Sequence, residues 1–491
     1  MKQPLYVLSA LLVGLTVAAC SQDPTDTAAD ADDTSAGPTD TLDAIRGDLS
    51  PHQQNAKDFL RELIEIDTTH PNGDNTAAAQ AMADKLLAAG FPAEDVQVLE
   101  PAERKGNLVA RYRGRDPDKK PLLLLAHIDV VAADPADWTL PPFEFTEQDG
   151  YFYGRGVVDD KDEAAIHVAN FIRLREEGYV PDRDIVIALT ADEEGGTHNG
   201  VTWLLENHRE LIDAAYALNE GGGGGMQGGV HVLNAVQASE KVYQSFTLET
   251  TNPGGHSSLP VKDNAIYHLA DALIRVRNHD FPVRLNEVTR MYFERTADLG
   301  GEYEDAMRGV LLEPPDSAAV AQLSERPMYN SRLRTTCVAT ELDGGHAENA
   351  LPQRARATVN CRVLPGESID TVEETLRTVI GNTDIAITRN AVATPSPPSP
   401  LTPDVLGAIE GITEEMWPGV PVIPTMSTGA TDGLFLRNAG IPVYGVSGLF
   451  SDMDEPARAH GQNERILASA FFDGQEFLYR LTKTLTTEDI Q

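Results

Sequence analysis

Basic residues are scarce. The chain has 39 Lys and Arg against 76 Asp and Glu, a net charge of −37 over 491 residues. A surface of that sign repels phosphate backbones and anionic headgroups, which argues against nucleic acid or an anionic membrane surface as partner. Long apolar runs are scarcer still. Beyond residues 5–19, no segment is long and apolar enough to cross a bilayer. Cysteine occurs only at 20, 337 and 361, so at most one bridge can form downstream of the N-terminal region.

The one apolar run has a recognisable form. Lys2 gives a short basic start, residues 5–19 an apolar stretch, and Val17-Ala18-Ala19-Cys20 a small-residue site ending in cysteine. An ordinary secretory signal would explain the run, but a cysteine placed directly after Ala-Ala resembles the bacterial lipoprotein signal. In that class the cysteine is lipidated and becomes the mature N-terminus, holding the protein on a membrane without spanning it. Ser21 follows where aspartate would favour inner-membrane retention, so the expected place is the periplasmic side of the outer membrane in a Gram-negative cell. Residues 21–50, rich in Asp, Thr, Ala, Pro and Ser, are expected to be a disordered acidic tether.

From residue 51 the pattern is that of a folded protein. Its length predicts more than one domain. Apolar spacing predicts helices within 52–89, the second stopped by Gly90. Continuous apolar runs at 107–112 (NLVARY), 122–126 (LLLLA) and 185–190 (IVIALT) alternate with helical patterns at 164–177 and 201–211. Continuous runs suit central strands covered on both faces. The expectation is an α/β fold, a mixed and mostly parallel sheet flanked by helices, with ligands at strand C-terminal ends. At Lys241 the texture changes: KVYQSFTLETT and residues 356–364 (RATVNCRVL) alternate like half-exposed antiparallel strands, with a helix expected at 264–277. This predicts a smaller inserted α+β domain over 241–393, dividing a first domain of 51–240 and 394–491. Residues 279–334 carry no clear periodicity and are left unassigned.

Polar clusters fall where the α/β strands end: His127-Ile128-Asp129, Asp192-Glu193-Glu194-Gly195-Gly196, and Asn219-Glu220 before five glycines. Asp159-Asp160 lies between the first two, and His460-Gly461-Gln462-Asn463-Glu464 precedes the last helical pattern. Each alone has a plain explanation: a capped helix start, a solvated acidic pair, a hydrogen-bonded loop histidine. Together, imidazoles and carboxylates are the ligand set of zinc and similar divalent ions. Alternate residues of an extended segment point the same way, so Asp129 can accept from the His127 nitrogen that binds no metal. Glu193 and Glu194 point oppositely, leaving one for metal and one for substrate.

The strings HID at His127, YGRGVVDDK at Tyr153, ADEEGG at Ala191, NEGG at Asn219, GGHSS at Gly254 and HGQNE at His460 resemble the cocatalytic-zinc peptidases and deacylases. That family includes aminoacylase-1, Gly-Xaa carboxypeptidase, glutamate carboxypeptidase and succinyl-diaminopimelate desuccinylase. The resemblance runs from about Pro51 to Leu481. It implies two divalent ions, zinc or alternatively cobalt or manganese, with Asp159 bridging, His127 and Glu220 completing one set, and Glu194 and His460 the other. It implies Glu193 as general base toward a metal-bridging water, and Asp129 as the partner of His127. It implies His256 as oxyanion donor, often across a dimer interface, and an inserted domain that serves as lid and dimerisation surface. Asn349, Arg362 and the loop Gly429-Ala430-Thr431 would grip the substrate. Asp162 and Asn219 depart from the common pattern without removing a ligand, and the run Gly221–Gly225 is longer than expected.

The activity implied is hydrolysis of an amide bond beside a free C-terminal carboxylate, as in carboxypeptidases, dipeptidases or N-acyl-amino-acid deacylases. The rival is a non-catalytic peptide- or amino-acid-binding lipoprotein on the same scaffold. A degenerate site should have lost its base or a ligand, and here none is missing. Cys337 and Cys361 fall on expected strands of the inserted domain. Either a hairpin bridges them, as exported proteins permit, or they are two buried thiols. The tether carries no part of the site, so Cys20→Ala should release soluble, active enzyme. Membrane fractionation checks this, and a variant still in the membrane pellet would contradict it.

Overall fold

The computed structural model describes residues 48–455 and 458–487. The signal segment, Cys20 and nearly all of the tether lie outside them. Among the described residues no helix is long and apolar enough to cross a membrane.

A ten-stranded mixed sheet forms the base. Strand Leu122–His127 pairs in parallel with Ile185–Thr190 on one side and Tyr216–Asn219 on the other. Tyr216–Asn219 continues in parallel to Val443–Gly445, and Val422–Ser427 lies parallel to Val230–Glu240. The two central strands are buried at every position. Leu122, Leu124 and Ala126 enter one apolar cluster with helices Pro51–Glu65, Lys161–Glu176 and Ala468–Leu485, while Leu123 and Leu125 enter another on the opposite face. Both faces being covered explains the unbroken apolar runs. Each buried leucine contributes about 1.5–3 kcal/mol.

Helix Pro51–Glu65 begins where Ser50 and Gln53 cap each other reciprocally, with proline at its first turn. The glycine run has a packing cause. Gly224 and Gly225 lie in strand Gly224–Gln227, wedged between Phe450–Asp452 and Val230–Glu240. A Cβ on Gly222 would stand 2.1 Å from the Gly445 carbonyl oxygen, and one on Gly224 2.2 Å from the Phe450 ring.

The smaller α+β unit is a four-stranded antiparallel sheet in the order Thr336–Gly344, Arg354–Val363, Val242–Thr251, Ala386–Arg389. Phe246, Leu248, Ala357 and Val359 face helices Ala265–Arg277 and Ile369–Ile380, giving this sheet its own apolar cluster. The alternation read in the sequence follows, since residues such as Tyr243, Thr358 and Arg362 lie on the other face. The unassigned stretch forms four short helices, Glu287–Asp298, Glu304–Val310, Ser317–Ser324 and Pro327–Leu333. Their apolar cluster includes Ile423 of the large sheet. Breaks at Gly300-Gly301 and Pro314-Pro315 kept any one helical period too short to read.

Cys337 and Cys361 stand directly opposite each other on neighbouring strands, and their sulfurs are bonded. A bridge spanning 24 residues contributes about 3 kcal/mol, mainly by restricting the unfolded chain. Thiol titration in denaturant without reductant should find neither cysteine reactive, and two free thiols would disprove the bridge.

Candidate metal centre and substrate-gripping residues

The histidine at the end of strand Leu122–His127 is positioned by its own backbone. Its Nδ1 lies 3.0 Å from the carbonyl oxygen of Asp129, and its amide donates to Asp160 Oδ2 at 3.1 Å. A carbonyl only accepts, so Nδ1 carries a proton and Nε2 is the nitrogen turned toward the site, where in the metal-free protein it donates to Asp159. Nε2 lies 2.8 Å from Asp159 Oδ1 and 3.8 Å from Glu220 Oε1.

This corrects the expected role of the Asp129 carboxylate. It stands 3.8 Å from the ring nitrogen and instead accepts from the amides of Glu193 and Glu194, both at 3.0 Å. The nearer acceptor is the Asp129 carbonyl. The carboxylate then serves to hold the loop that carries the two glutamates. That loop starts with Asp192 in the left-handed region, φ 58°, its carboxylate paired with Lys105 at 2.5 Å.

Asp159 precedes helix Lys161–Glu176, and the Asp159–Asp160 peptide is cis. His460 reaches across the chain, its Nε2 lying 2.8 Å from Glu194 Oε1 and 3.1 Å from Asp159 Oδ2. Two groups result, His127–Asp159–Glu220 and Asp159–Glu194–His460, each with its ligand atoms within 4.8 Å of one another. Asp159 belongs to both. One imidazole nitrogen and two carboxylate oxygens apiece form a donor set that fits zinc or a similar divalent ion.

The electrostatics agree with that fit. Burial, with the charges of Asp432, Glu220 and Glu194, pushes the Glu193 carboxyl up to about 10 against the pull of His127. Burial also holds Glu220 up at about 8 and Asp432 at about 6. Asp159 moves the other way: hydrogen bonds from His127 and His460, and their charges, outweigh burial and hold it well below the usual range. His460 rises to about 9 through its hydrogen bond to Asp159 and the charge of Glu194. Among the described residues no lysine or arginine pairs with Asp159, Glu194 or Glu220, whose ion-pair partners are imidazoles. Protons on histidines and carboxylates hold the place of cations.

The remaining expected residues fall into two further places. His256 pairs with Ala350 in a short ladder beside Asn349, whose carbonyl accepts from Ser257 at 3.0 Å. The His256 ring is exposed, and its Nδ1 takes hydrogen bonds from the amide and hydroxyl of Ser258 at 3.2 and 2.7 Å. It is not joined to the carboxylate cluster of its own chain. Arg362 stacks over Tyr243 at 4.7 Å and donates to the Thr428 carbonyl at 3.1 Å, which brings it to the loop Gly429-Ala430-Thr431. A cavity of about 610 Å3 opens there, with Lys241, Tyr243 and Ala430 in its lining. It lies beside this loop and not around the carboxylates.

Several supporting residues had no role in the sequence reading. Asp432 accepts from Asn199 Nδ2 at 2.5 Å and Thr190 Oγ1 at 3.2 Å, tying the 429–431 loop to the glutamate loop. Its adjacency to Gly429-Ala430-Thr431 was the available signal. Lys161, fully buried, donates to the carbonyls of Leu63 and Ile66 at 2.7 and 3.0 Å. Glu464 is fully buried with Arg155 at 2.5 Å, and accepts from the amides of Gly156 and Val158 at 3.1 and 2.9 Å. It thereby fixes the loop that delivers Asp159. Both partners stood in strings already singled out, YGRGVVDDK and HGQNE.

Comparison with known proteins places these features in a family. The model for peptidase family M20/M25/M40 matches residues 123–484. The chain is 28% identical over 451 residues to the N-fatty-acyl-amino acid synthase/hydrolase PM20D1 of Homo sapiens, covering 88% of each. It is 25% identical over 441 residues to aminoacylase-1A of Rattus norvegicus, covering 87% of this chain and 95% of that one. Among solved structures, the M20 family metallo-carboxypeptidase Sso-CP2 of Sulfolobus solfataricus superposes with a TM-score of 0.65 at 18% identity. The match covers 88% of this chain and 99% of that one.

Removing one partner of a buried ion pair strands the other charge, at a cost of about 3–5 kcal/mol. Glu464→Ala should therefore destabilise the metal-free protein by about that amount. Denaturant unfolding measures it, and a loss under about 1 kcal/mol would show that the Arg155 pair does not anchor the loop.

Proposed function

The chain belongs to peptidase family M20/M25/M40, and from that membership we propose a two-metal hydrolase that cuts an amide bond beside a free carboxylate. The observation that carries this reading is the sharing of Asp159 between two imidazole–carboxylate groups, with Glu193 half-buried beside them and outside both. The relatives support it, since an acyl-amino acid hydrolase and an aminoacylase are named for an acyl group on an amino acid nitrogen. We place the protein on a membrane surface through Cys20, as an exported lipoprotein.

His127 and Glu220 would hold one ion, Glu194 and His460 the other, and Asp159 both. When bound, the ions supply the Lewis acidity that polarises a carbonyl and acidifies water. The chain's own residues do the rest. Arg362 and the loop Gly429-Ala430-Thr431 bind the substrate carboxylate, so the scissile amide is presented in one orientation. Asn349 would meet the substrate from its separate place beside His256. Glu193 takes the proton of the attacking water on a carboxylate oxygen and passes it to the leaving nitrogen. Asp129 holds Glu193 and Glu194 in register for that transfer.

His256 completes the site from a second copy, and two features of the chain support that arrangement. The ring is exposed and unattached to its own cluster. Strand Thr336–Gly344 is an edge of the smaller sheet, and beside it Val338, Leu342, Tyr267 and Ile274 are 60%, 72%, 59% and 50% exposed. An apolar edge of that kind is protected by pairing.

Glu193→Gln should retain both metals and lose about 10²- to 10⁴-fold in turnover, the usual scale for a general base. Metal analysis and kinetics together test this, and near-normal turnover would exclude the role. Mixed subunits of Glu193→Gln and His256→Ala, each inactive alone, should regain activity, because one site of a hybrid has both groups. Hybrid dimers that form and stay inactive would show that His256 does not act in trans.

A further inference from the structure

Away from the carboxylates, three cations converge on residues 425–428 from three different elements. Lys241, at the crossing from strand Val230–Glu240 to strand Val242–Thr251, donates its backbone N–H to the Ser427 carbonyl at 3.0 Å. Its amine donates to the Arg334 carbonyl at 2.7 Å and Thr336 Oγ1 at 3.2 Å. Thr336 stands opposite Arg362 in the ladder, and Arg362 reaches the Thr428 carbonyl. Arg332, on helix Pro327–Leu333, donates to Thr425 Oγ1 at 3.3 Å and to the Met328 carbonyl at 2.9 Å. It lies over the Tyr292 ring at 4.7 Å, and its Nε–H is buried without a partner.

Every polar partner of these three side chains among the described residues is a neutral oxygen. With 76 acidic residues against 39 basic ones, a base here ordinarily finds a carboxylate. Three neighbouring bases without one leave a local excess of positive charge. Burial, helped by the charges of Arg362 and Arg332, brings the Lys241 amine down to about 7 against the pull of Glu367, while a guanidinium keeps its charge at any working pH. Arg332 is already held by stacking and two hydrogen bonds, so little freedom remains to be lost on meeting an anion.

One guanidinium suffices for one carboxylate, and Arg362 fills that part in the reading above. We propose that Arg332 reads a second carboxylate, so that the amino acid released is acidic, aspartate or glutamate. This rests on the amide-hydrolase reading. The helical segment 279–334 thereby acquires a part in the site: it packs on strand Val422–Ser427 and delivers a specificity residue to that strand's end.

The test compares N-acetyl-glutamate with its neutral isostere N-acetyl-glutamine on the full-length, metal-loaded enzyme. Wild type should favour the glutamate compound at least tenfold in kcat/KM. Arg332→Gln should reduce that ratio at least tenfold, and Arg332→Lys should keep more of it. A variant that merely folds poorly loses both substrates alike and leaves the ratio standing. Calorimetry on the Glu193→Gln protein adds a binding readout: N-acetyl-glutamate affinity should fall at least tenfold when Arg332→Gln is added. A ratio unmoved by Arg332→Gln, or a wild-type preference for the glutamine compound, overturns the proposal and leaves the hydrolase reading intact. Failure to hydrolyse any N-acyl amino acid or dipeptide overturns both.

Discussion

Carboxylates that repel one another are held within a few ångströms at the ends of the central strands. Like charges about 4 Å apart oppose each other by roughly 4 kcal/mol at an effective dielectric near 20, and among the described residues no lysine or arginine offsets that at Asp159, Glu194 or Glu220. The backbone supplies the restraint. Asp129 clamps the amides of Glu193 and Glu194, Glu464 clamps those of Gly156 and Val158, and Lys161 ties the Asp159 turn to the end of the first helix. Each clamp is itself a buried polar side chain bonded to fixed dipoles or to one fixed partner. The site is thus a preformed deficit of positive charge, which is what a divalent cation answers.

Much of this could be read from the chain. His127, Asp159, Glu194, Glu220 and His460 sit in short strings at strand ends, and the structure brings all five together. The continuous runs LLLLA and IVIALT announced strands with two covered faces, and the change to alternation at Lys241 announced a second sheet. What stayed hidden depends on geometry that strings do not carry. Whether Asp129 meets His127 through its carboxylate or its carbonyl depends on the amides of Glu193 and Glu194, which take the carboxylate. Asp432 looks like any loop acid until Asn199 and Thr190 are folded against it. The helices between 279 and 334 are too short for their period to emerge, and their apolar faces are explained only by Ile423, distant in sequence.

The junction between the two sheets is charged on both of its residues, yet they are treated differently. Glu240 is locked by Arg437 at 2.7 Å and Thr431 at 3.0 Å, so the main sheet ends in a satisfied ion pair. Lys241, the next residue, faces only neutral oxygens. The crossing therefore joins a closed electrostatic account on one side to an open one on the other, and the substrate-gripping loop lies between them.

The pairing of Arg155 with Glu464 joins residues 309 positions apart, and His460 meets Asp159 over nearly the same span. A chain emerging from its N-terminus can fold the strands that carry His127, Glu194 and Glu220 long before Glu464 and His460 exist. Until then the Asp159 loop has no clamp and one cation place lacks its imidazole. Competence arrives in the last stretch of synthesis, which also brings helix Ala468–Leu485 to cover one face of the central sheet.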